Sequence, residues 1–128
     1  MTDEKHWELD MSAGPIFVQI GKNVRQMLAR GDLQQGEKLP SARDLAAALG
    51  VNPNTVVHAY GELERTDVIE TRRGRGTFIR VDAPVAEMRK ELLRDAATGF
   101  ATEVRRLGVD RGEALALLEE VWDAGQPD

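Results

Sequence analysis

Two helix signals follow one another with almost no chain between them. The stretch SARDLAAALG begins with Ser41, a common N-cap residue, and ends at Gly50, which can adopt the positive φ of a helix C-terminus. Asn52 and Pro53 follow almost at once, as a second N-cap and the residue favoured at the first helical position. Because so short a connection is the spacing of a helix-turn-helix, the sequence predicts that motif here.

Each helix of this motif has an apolar stripe that is expected to face the core. In the shorter helix the predicted stripe consists of Leu45, Ala48 and Leu49. In the longer helix it consists of Val56, Ala59, Tyr60 and Leu63. The opposite face of the longer helix is small and polar near its N-terminus, with Asn54, His58, Gly61 and Arg65.

Helical spacing also predicts flanking helices over about 15–30 and 84–107, the second with Asp82 as a possible N-cap. Asp110 and Glu113 form a capping-box pattern that begins a last helix. The residues before the first helix alternate weakly, which predicts a short strand or an extended arm.

After the motif the hydrophobic period becomes that of β-strands. DVIET and GTFIRV are β-branched and aromatic runs, and RRGR between them brings Gly74 and Gly76 to a hairpin tip. Residues 71–80 carry four arginines and no acid, although the chain holds 17 Lys and Arg against 22 Asp and Glu. Two short strands with a basic loop predict a wing. Asp67 stands at a helix end, where glycine is the easier residue.

The polar helix face and the wing together predict a DNA-binding surface. Asn54 can pair with adenine, Val57 can meet a thymine methyl group, and side chains near the start of the second helix enter the major groove in this docking mode. Arginines at a glycine turn can enter a minor groove or bind phosphate. The candidate DNA-binding residues are Arg43, Asn52, Asn54, Thr55, Val57, His58, Arg72, Arg73, Gly74, Arg75 and Gly76.

Simpler structural interpretations exist for the same residues. Asn52 is expected to use its side chain as a helix cap, and Arg43 could form a surface ion pair with Asp44 or Glu37. The basic hairpin could merely protect a sheet edge from aggregation. The alternative function is a winged-helix module for protein–protein interaction, without a DNA target of its own.

The C-terminal region differs in charge and pattern. Residues 1–80 hold 11 basic and 11 acidic side chains, whereas residues 81–128 hold 6 and 11. We therefore predict a winged helix-turn-helix domain over 1–82 and a helical dimerisation tail over 83–128. The acids should keep this tail from DNA, and its apolar stripe should pack on a second copy, intramolecular packing being the alternative. The candidate dimerisation residues are Met88, Leu92, Ala96, Phe100, Leu107, Leu118 and Trp122.

Other function classes find little support in the sequence. There is no cysteine, and the two histidines, His6 and His58, are far apart and lack a pattern of acidic partners. No phosphate-binding loop, dinucleotide fingerprint or nucleophile motif is present, so we expect no enzyme, no metal and no cofactor. No apolar run approaches the ~20 residues of a membrane span, and no signal peptide is apparent. We expect a cytoplasmic protein without a membrane partner.

The blocks GEKLPSARDLAAALGVNPNTV and GRGTFI resemble the DNA-binding domain of GntR-type transcription regulators, and the short helical tail resembles the YtrA branch. The resemblance covers roughly residues 15–81. It implies a mainly α fold with a small β-hairpin wing, and a homodimeric bacterial repressor that binds a palindromic double-stranded DNA operator. Its DNA-contacting positions fall on Arg43, Asn52, Asn54, Thr55, Val57, Arg73, Gly74 and Arg75.

Comparison with the family pattern indicates what this chain lacks and where its residues differ. Larger relatives carry a ligand-binding or aminotransferase-like domain, and about 45 residues after the wing are too few for either. A small-molecule effector is possible, and the sequence names no site for it. His58 and Gly61 stand where relatives often have basic or long polar residues, and Asp67 replaces a frequent glycine.

Overall fold

The computed structural model describes residues 7–125, which contain five α-helices and a three-stranded sheet. The chain divides into two compact units, Met1–Lys90 and Glu91–Asp128. In chain order the elements are α1 (Ile16–Arg30), β1 (Lys38–Leu39), α2 (Ala42–Leu49), α3 (Pro53–Arg65), β2 (Ile69–Arg72), β3 (Gly76–Ile79), α4 (Val85–Arg106) and α5 (Arg111–Ala124).

Helix α1 begins and ends where the sequence predicts. Pro15 precedes the helix with an extended backbone of its own, and Gly31 ends the helix with a φ of 88° and an N–H that donates to the Leu28 carbonyl. The buried side of α1 carries apolar residues that are at most 2% exposed: Ile20, Val24, Met27 and Leu28. The predicted helix over 15–30 is therefore confirmed.

The residues before α1 form an extended arm held by two amide side chains. Asn23, which is only 6% exposed, accepts a hydrogen bond from Glu8 N at 2.7 Å and donates one to Glu8 O at 3.0 Å. Gln19 binds the N–H and carbonyl of Asp10 in the same manner, at 2.8 and 2.7 Å. These amides take the place of a neighbouring strand along residues 7–10, a turn follows over residues 11–14, and no strand forms between residues 7 and 14.

Helices α2 and α3 form the predicted helix-turn-helix. Ser41 Oγ accepts from Asp44 N at 3.1 Å and Asn52 Oδ1 accepts from Asn54 N at 2.8 Å, so side chains cap both N-termini. Gly50 ends α2 with a φ of 71°. The caps therefore stand at the predicted residues.

The buried faces of these helices agree with the prediction in α3 and only partly in α2. The predicted α3 stripe is at most 7% exposed throughout: Val56, Ala59, Tyr60 and Leu63. In α2 the buried residues are Leu45 and Ala46, whereas Ala48 is exposed and Leu49 half-buried. The assignment of Ala48 to the core is wrong because three consecutive alanines carry no periodic signal about which side of a short helix is covered.

The sheet has one strand more than the predicted hairpin. β2 and β3 pair antiparallel with Arg72 opposite Gly76, and β1 pairs with the other edge of β3, giving the order β1-β3-β2. The glycine and proline of the segment LQQGEKLP predict a loop, and the structure forms β1 within it. A strand of two residues next to Pro40 has no alternation to detect, so only its pairing with β3 identifies it.

The first turn of α4 belongs to the first unit. Met88 is 3% exposed, and Arg89 donates from Nε to the carbonyl of Ala29 near the end of α1, at 2.8 Å. The two compact units divide after Lys90, within α4, and the domain boundary after residue 82 stays a prediction. The burial of Met88 does not support its assignment to a dimer surface, because its side chain is already covered within a single copy of the chain.

Asp82, in the connection between β3 and α4, forms an ion pair and does not cap the helix. Arg80 donates from Nε and Nη2 to the two carboxylate oxygens of Asp82, at 2.8 and 3.0 Å. These hydrogen bonds lower the pKa of the Asp82 carboxyl below its ordinary value. The prediction that Asp82 caps α4 is wrong, because its side chain is engaged by Arg80.

The second unit contains the rest of α4 and helix α5, and much of its apolar surface is uncovered. Gly108 adopts a φ of 72° after α4, and Asp110 Oδ1 accepts from Glu113 N at 2.9 Å to begin α5. Ala114 is buried. Several large apolar side chains remain between 37% and 73% exposed: Leu93, Phe100, Leu107, Leu115, Leu117, Leu118, Val121 and Trp122. Within residues 7–125 no helix is long and apolar enough to cross a membrane.

Asp67 adopts a φ of 63° just after α3, a conformation that glycine adopts more easily. That conformation brings the Cβ of an L-residue close to the following carbonyl oxygen, and glycine avoids the contact. Asp67→Gly is therefore expected to raise the free energy of unfolding by about 0.5–1 kcal/mol in urea denaturation. Asp67→Ala is the control, because it removes the carboxylate and keeps the Cβ. An equal gain in both variants would show that the carboxylate is the source.

The conformation and surroundings of Gly76 predict a loss of stability when it is replaced by alanine. Its φ is 123°, and a Cβ at this position would lie 2.9 Å from Cε of Lys38, whereas a Cβ at Gly74 (φ 76°) would meet nothing within 4 Å. Gly76→Ala should lower the free energy of unfolding by about 1–3 kcal/mol, because the backbone is strained and Lys38 has to move. Gly74→Ala should cost about 1 kcal/mol. Equal losses in urea denaturation would contradict this difference.

Candidate nucleic-acid interface

The exposed face of α3 presents the residues predicted to read DNA bases. Asn54 and His58 are exposed, Val57 is 56% exposed, and Thr55 is half-buried. In residues 7–125 the side-chain amide of Asn54 has no hydrogen-bond partner, although its backbone N–H is bonded to the cap. An unpaired amide on an exposed helix can form the bidentate pair with adenine N6 and N7.

Asn52 and Arg43 differ in how their side chains are used. Asn52 Oδ1 is the acceptor of the α3 cap, which confirms the structural role expected for that atom. Arg43 is exposed on α2, and it forms no ion pair with Asp44 or any other described residue. The structural interpretation of Arg43 as a surface ion pair is therefore wrong within the described residues, and its guanidinium remains available to an anion.

Arg72 lies in the wing and does not project from it. Its Nε and Nη2 donate to Glu70 Oε2 at 3.0 and 2.8 Å, and its guanidinium carbon lies 4.2 Å from the centroid of the Phe78 ring. All three residues share one face of the sheet, because Glu70 is opposite Phe78 and Arg72 lies two positions after Glu70. Arg72 is one of the candidate DNA-binding residues, and in the structure Glu70 and Phe78 hold its guanidinium along the hairpin.

Arg73 and Arg75 are the exposed cations of the wing tip. They flank Gly74, and the turn is closed by a hydrogen bond from Arg75 N to the carbonyl of Arg72 at 2.9 Å. Neither guanidinium has a partner among the residues that the structure describes. Two unpaired arginines on a short rigid turn are suited to phosphate or to a narrow minor groove.

Lys38 is a further wing cation that the sequence reasoning missed. It is exposed on β1, and its Cε and Nζ lie 2.9 and 3.5 Å from the position of a Cβ on Gly76. The ammonium group therefore lies beside the glycine end of the hairpin. No signal near Lys38 in the sequence indicated this, since the pairing of β1 with β3 places it there.

One groove of about 730 Å³ connects the wing with the helix-turn-helix. Ser41 and Ala42 at the start of α2 line one part, Val57 and Gly61 of α3 a second, and the strand residues Thr71 and Thr77 a third. The wing and the exposed face of α3 therefore border the same cleft. Asp44 and Glu64 also line it and add negative charge to its walls.

On the side of α3 away from the groove, the helix contacts α1. The His58 and Phe17 rings stack with centroids 3.7 Å apart and an angle of 11° between their planes. Two turns further along α3, Arg65 donates to both carboxylate oxygens of Glu62, at 2.9 and 3.4 Å. These hydrogen bonds lower the pKa of the Glu62 carboxyl and keep Arg65 along the helix surface.

Side chains of the kinds that bind metal ions are not clustered in the described residues. No group of three histidine, cysteine or carboxylate side chains there could hold a metal ion, and His6 lies outside those residues. Burial raises the pKa of Tyr60, whose hydroxyl donates to the carbonyl of Pro40 at 2.8 Å. This phenol fastens α3 to the segment before α2, and Tyr60 also lines the groove between the helix-turn-helix and the wing.

Comparison with known proteins agrees with this geometry. Residues 17–79 match the sequence model of bacterial regulatory proteins of the gntR family. The chain is 38% identical over 115 residues to the uncharacterized HTH-type transcriptional regulator YhcF of Bacillus subtilis, covering 89% of this chain and 95% of YhcF. It is also 38% identical over 112 residues to the HTH-type transcriptional repressor YtrA of the same organism, covering 88% and 82%.

Among solved structures, a GntR family transcriptional regulator from Listeria monocytogenes superposes with a TM-score of 0.77 at 30% identity. The match covers 88% of this chain and 98% of that protein, so it includes the helical tail as well as the winged domain. The chain therefore belongs to the GntR family of transcription regulators, as a winged helix-turn-helix protein of the YtrA type.

Proposed function

We propose that this protein is a transcription repressor that binds a palindromic operator as a homodimer. The observation that carries the proposal is the cleft bordered by the exposed face of α3 and by the wing, with unpaired arginines at the wing tip. A helix and a hairpin that flank one cleft can contact adjacent grooves of a single duplex. That one relative is named a repressor supports the direction of regulation.

Base recognition is assigned to the first turns of α3. Asn54 offers an unpaired amide to an adenine edge, and the exposed Val57 offers a methyl surface to thymine. Gly61, one turn further, has no side chain and lets the helix lie close to the duplex. Arg43 on α2 has its guanidinium available for a guanine or a phosphate beside the same face.

Backbone binding is assigned to Arg73 and Arg75. The two arginines lie at the tip of the hairpin, and Gly74 between them has open space around it. Such cations release counterions from DNA on binding, which makes the affinity depend steeply on salt. The acidic balance of the whole chain does not oppose this, because the partner meets a local basic surface.

Dimerisation is assigned to the second unit. Several of its large apolar side chains are exposed, Leu118 and Trp122 to 48% and 67%, and soluble monomers rarely leave large apolar patches uncovered. A second copy offers the same surface, as a two-fold interface requires. Two winged domains bound to two half-sites of one operator would gain affinity from their linkage.

The wing is tested by the double variant Arg73→Ala/Arg75→Ala. The probe is a duplex that the wild-type protein enriches from a random library, titrated between about 50 and 200 mM salt. The slope of log affinity against log salt should become shallower by about 0.9 for every phosphate that the variant no longer neutralises. Arg105→Ala/Arg106→Ala is the control, because it removes the same charge from the other unit. An unchanged slope in the wing variant would exclude the wing from the DNA interface.

The dimer is tested by Leu118→Glu/Trp122→Glu. Because like charges would face each other across a two-fold contact, the variant should sediment as a monomer where the wild type sediments as a dimer. Its affinity for the enriched duplex should fall by about 10²-fold or more, since the avidity of two linked domains is lost. Circular dichroism checks that the helices persist. A monomeric wild type, or a variant that remains dimeric, would contradict the assignment.

A further inference from the structure

One contact of α3 has no part in the core and none in the helix-turn-helix. Phe17, the second residue of α1, lays its ring against His58 on the exposed side of α3, with centroids 3.7 Å apart and planes at 11°. Phe17 is half-buried and His58 is exposed. The stack is nearly parallel and joins residues that are distant in sequence. It orients the imidazole of His58 through α1, a helix that is not part of the helix-turn-helix.

The stack leaves the imidazole nitrogens available. Both nitrogens lie on the perimeter of the ring, and neither has a hydrogen-bond partner within residues 7–125. Glu62, one turn further along α3, interacts electrostatically with His58 and forms no hydrogen bond to it, and Arg65 already donates to both of its oxygens. His58 therefore has a fixed ring plane and a donor without a partner on the exposed side of α3.

The position of His58 indicates which part of a duplex it would meet. The cleft shared with the wing is lined on α3 by Val57, Gly61 and Glu64, and His58 lies on the other flank, toward α1. When a helix lies in the major groove, its outermost side chains face the bases and its flanks face the two sugar–phosphate backbones. A donor on this flank is suited to a phosphate oxygen.

We propose that Phe17 is a positioning residue for DNA binding, whose ring holds the His58 imidazole so that a ring N–H donates to a backbone phosphate. The inference rests on the proposed function. Phe17 itself touches no DNA and acts only through His58. Without the stack the imidazole would sample several rotamers, and the entropy lost on binding would weaken the same phosphate contact.

The test is a double-mutant cycle with DNA affinity as the readout. Phe17→Leu keeps an apolar side chain of similar volume on α1 and removes the ring, and His58→Ala removes the donor. His58→Ala should weaken binding about tenfold, by the same factor for the enriched duplex and for a random-sequence duplex, because a phosphate is common to both. Phe17→Leu should weaken binding about threefold in the wild-type background and not at all in the His58→Ala background.

Two further variants separate positioning from folding. Phe17→Tyr keeps an aromatic ring and should restore affinity, whereas Val18→Ala removes apolar surface from the neighbouring position and should leave affinity unchanged. In NMR spectra of the wild type, the His58 ring protons should be shifted upfield by the Phe17 ring. That shift should persist in Phe17→Tyr and disappear in Phe17→Leu. Should Phe17→Leu fail to fold, the wild-type His58 resonances must still move on titration with the enriched duplex.

Several results would overturn the inference. An equal loss from Phe17→Leu in both backgrounds means that Phe17 acts through the fold and not through His58. Unmoved His58 resonances on DNA titration exclude the contact. A His58→Ala loss confined to the enriched duplex assigns His58 to a base and overturns the phosphate contact. If the wild-type protein binds no duplex in a salt-sensitive manner, the proposed function is overturned as well. If the wild type binds DNA but the effects of Phe17→Leu and His58→Ala on affinity are additive, only the role of Phe17 is overturned.

Discussion

The rotation of α3 about its own axis is the constraint on which the interface depends. Its buried stripe includes Val56 and Leu63, which are at most 2% exposed, and turning the helix to expose them would cost about 1.5–3 kcal/mol for each side chain. Tyr60 adds a directional constraint through its hydrogen bond to the Pro40 carbonyl. With one side fixed in this way, the side chains of Asn54 and His58 face outward, because successive residues on a helix are separated by about 100°.

The arginines of the first unit fall into two groups, those that pair with a carboxylate and those that do not. Arg72 and Arg80 are held by nearby carboxylates, and they contribute to the order of the hairpin and of the connection that follows it. Arg73 and Arg75 have no such partners among the described residues and retain their full interaction with an external anion. An acidic chain can therefore present a local cationic surface, since salt screens distant charges beyond about 10 Å.

Much of the fold was predictable because its signals are local. Caps and glycines with positive φ define helix ends through bonds between residues at most a few positions apart, as at Ser41 and Gly50. The buried stripe of α3 followed from spacing alone. Where local signals are weak the predictions were wrong: β1 is too short to show alternation, and Ala48 lies in a run of alanines that favours no side.

The sequence by itself determined the order and limits of most elements, the wing with its basic glycine turn, and the exposed polar face of α3. It did so because hydrophobic period, capping and turn chemistry are properties of neighbouring residues. Only the tertiary structure decided which side chains remain available. Packing between distant segments covers Met88, places Lys38 beside Gly76, and stacks Phe17 on His58. Such contacts depend on distances through space, and no spacing along the chain encodes them.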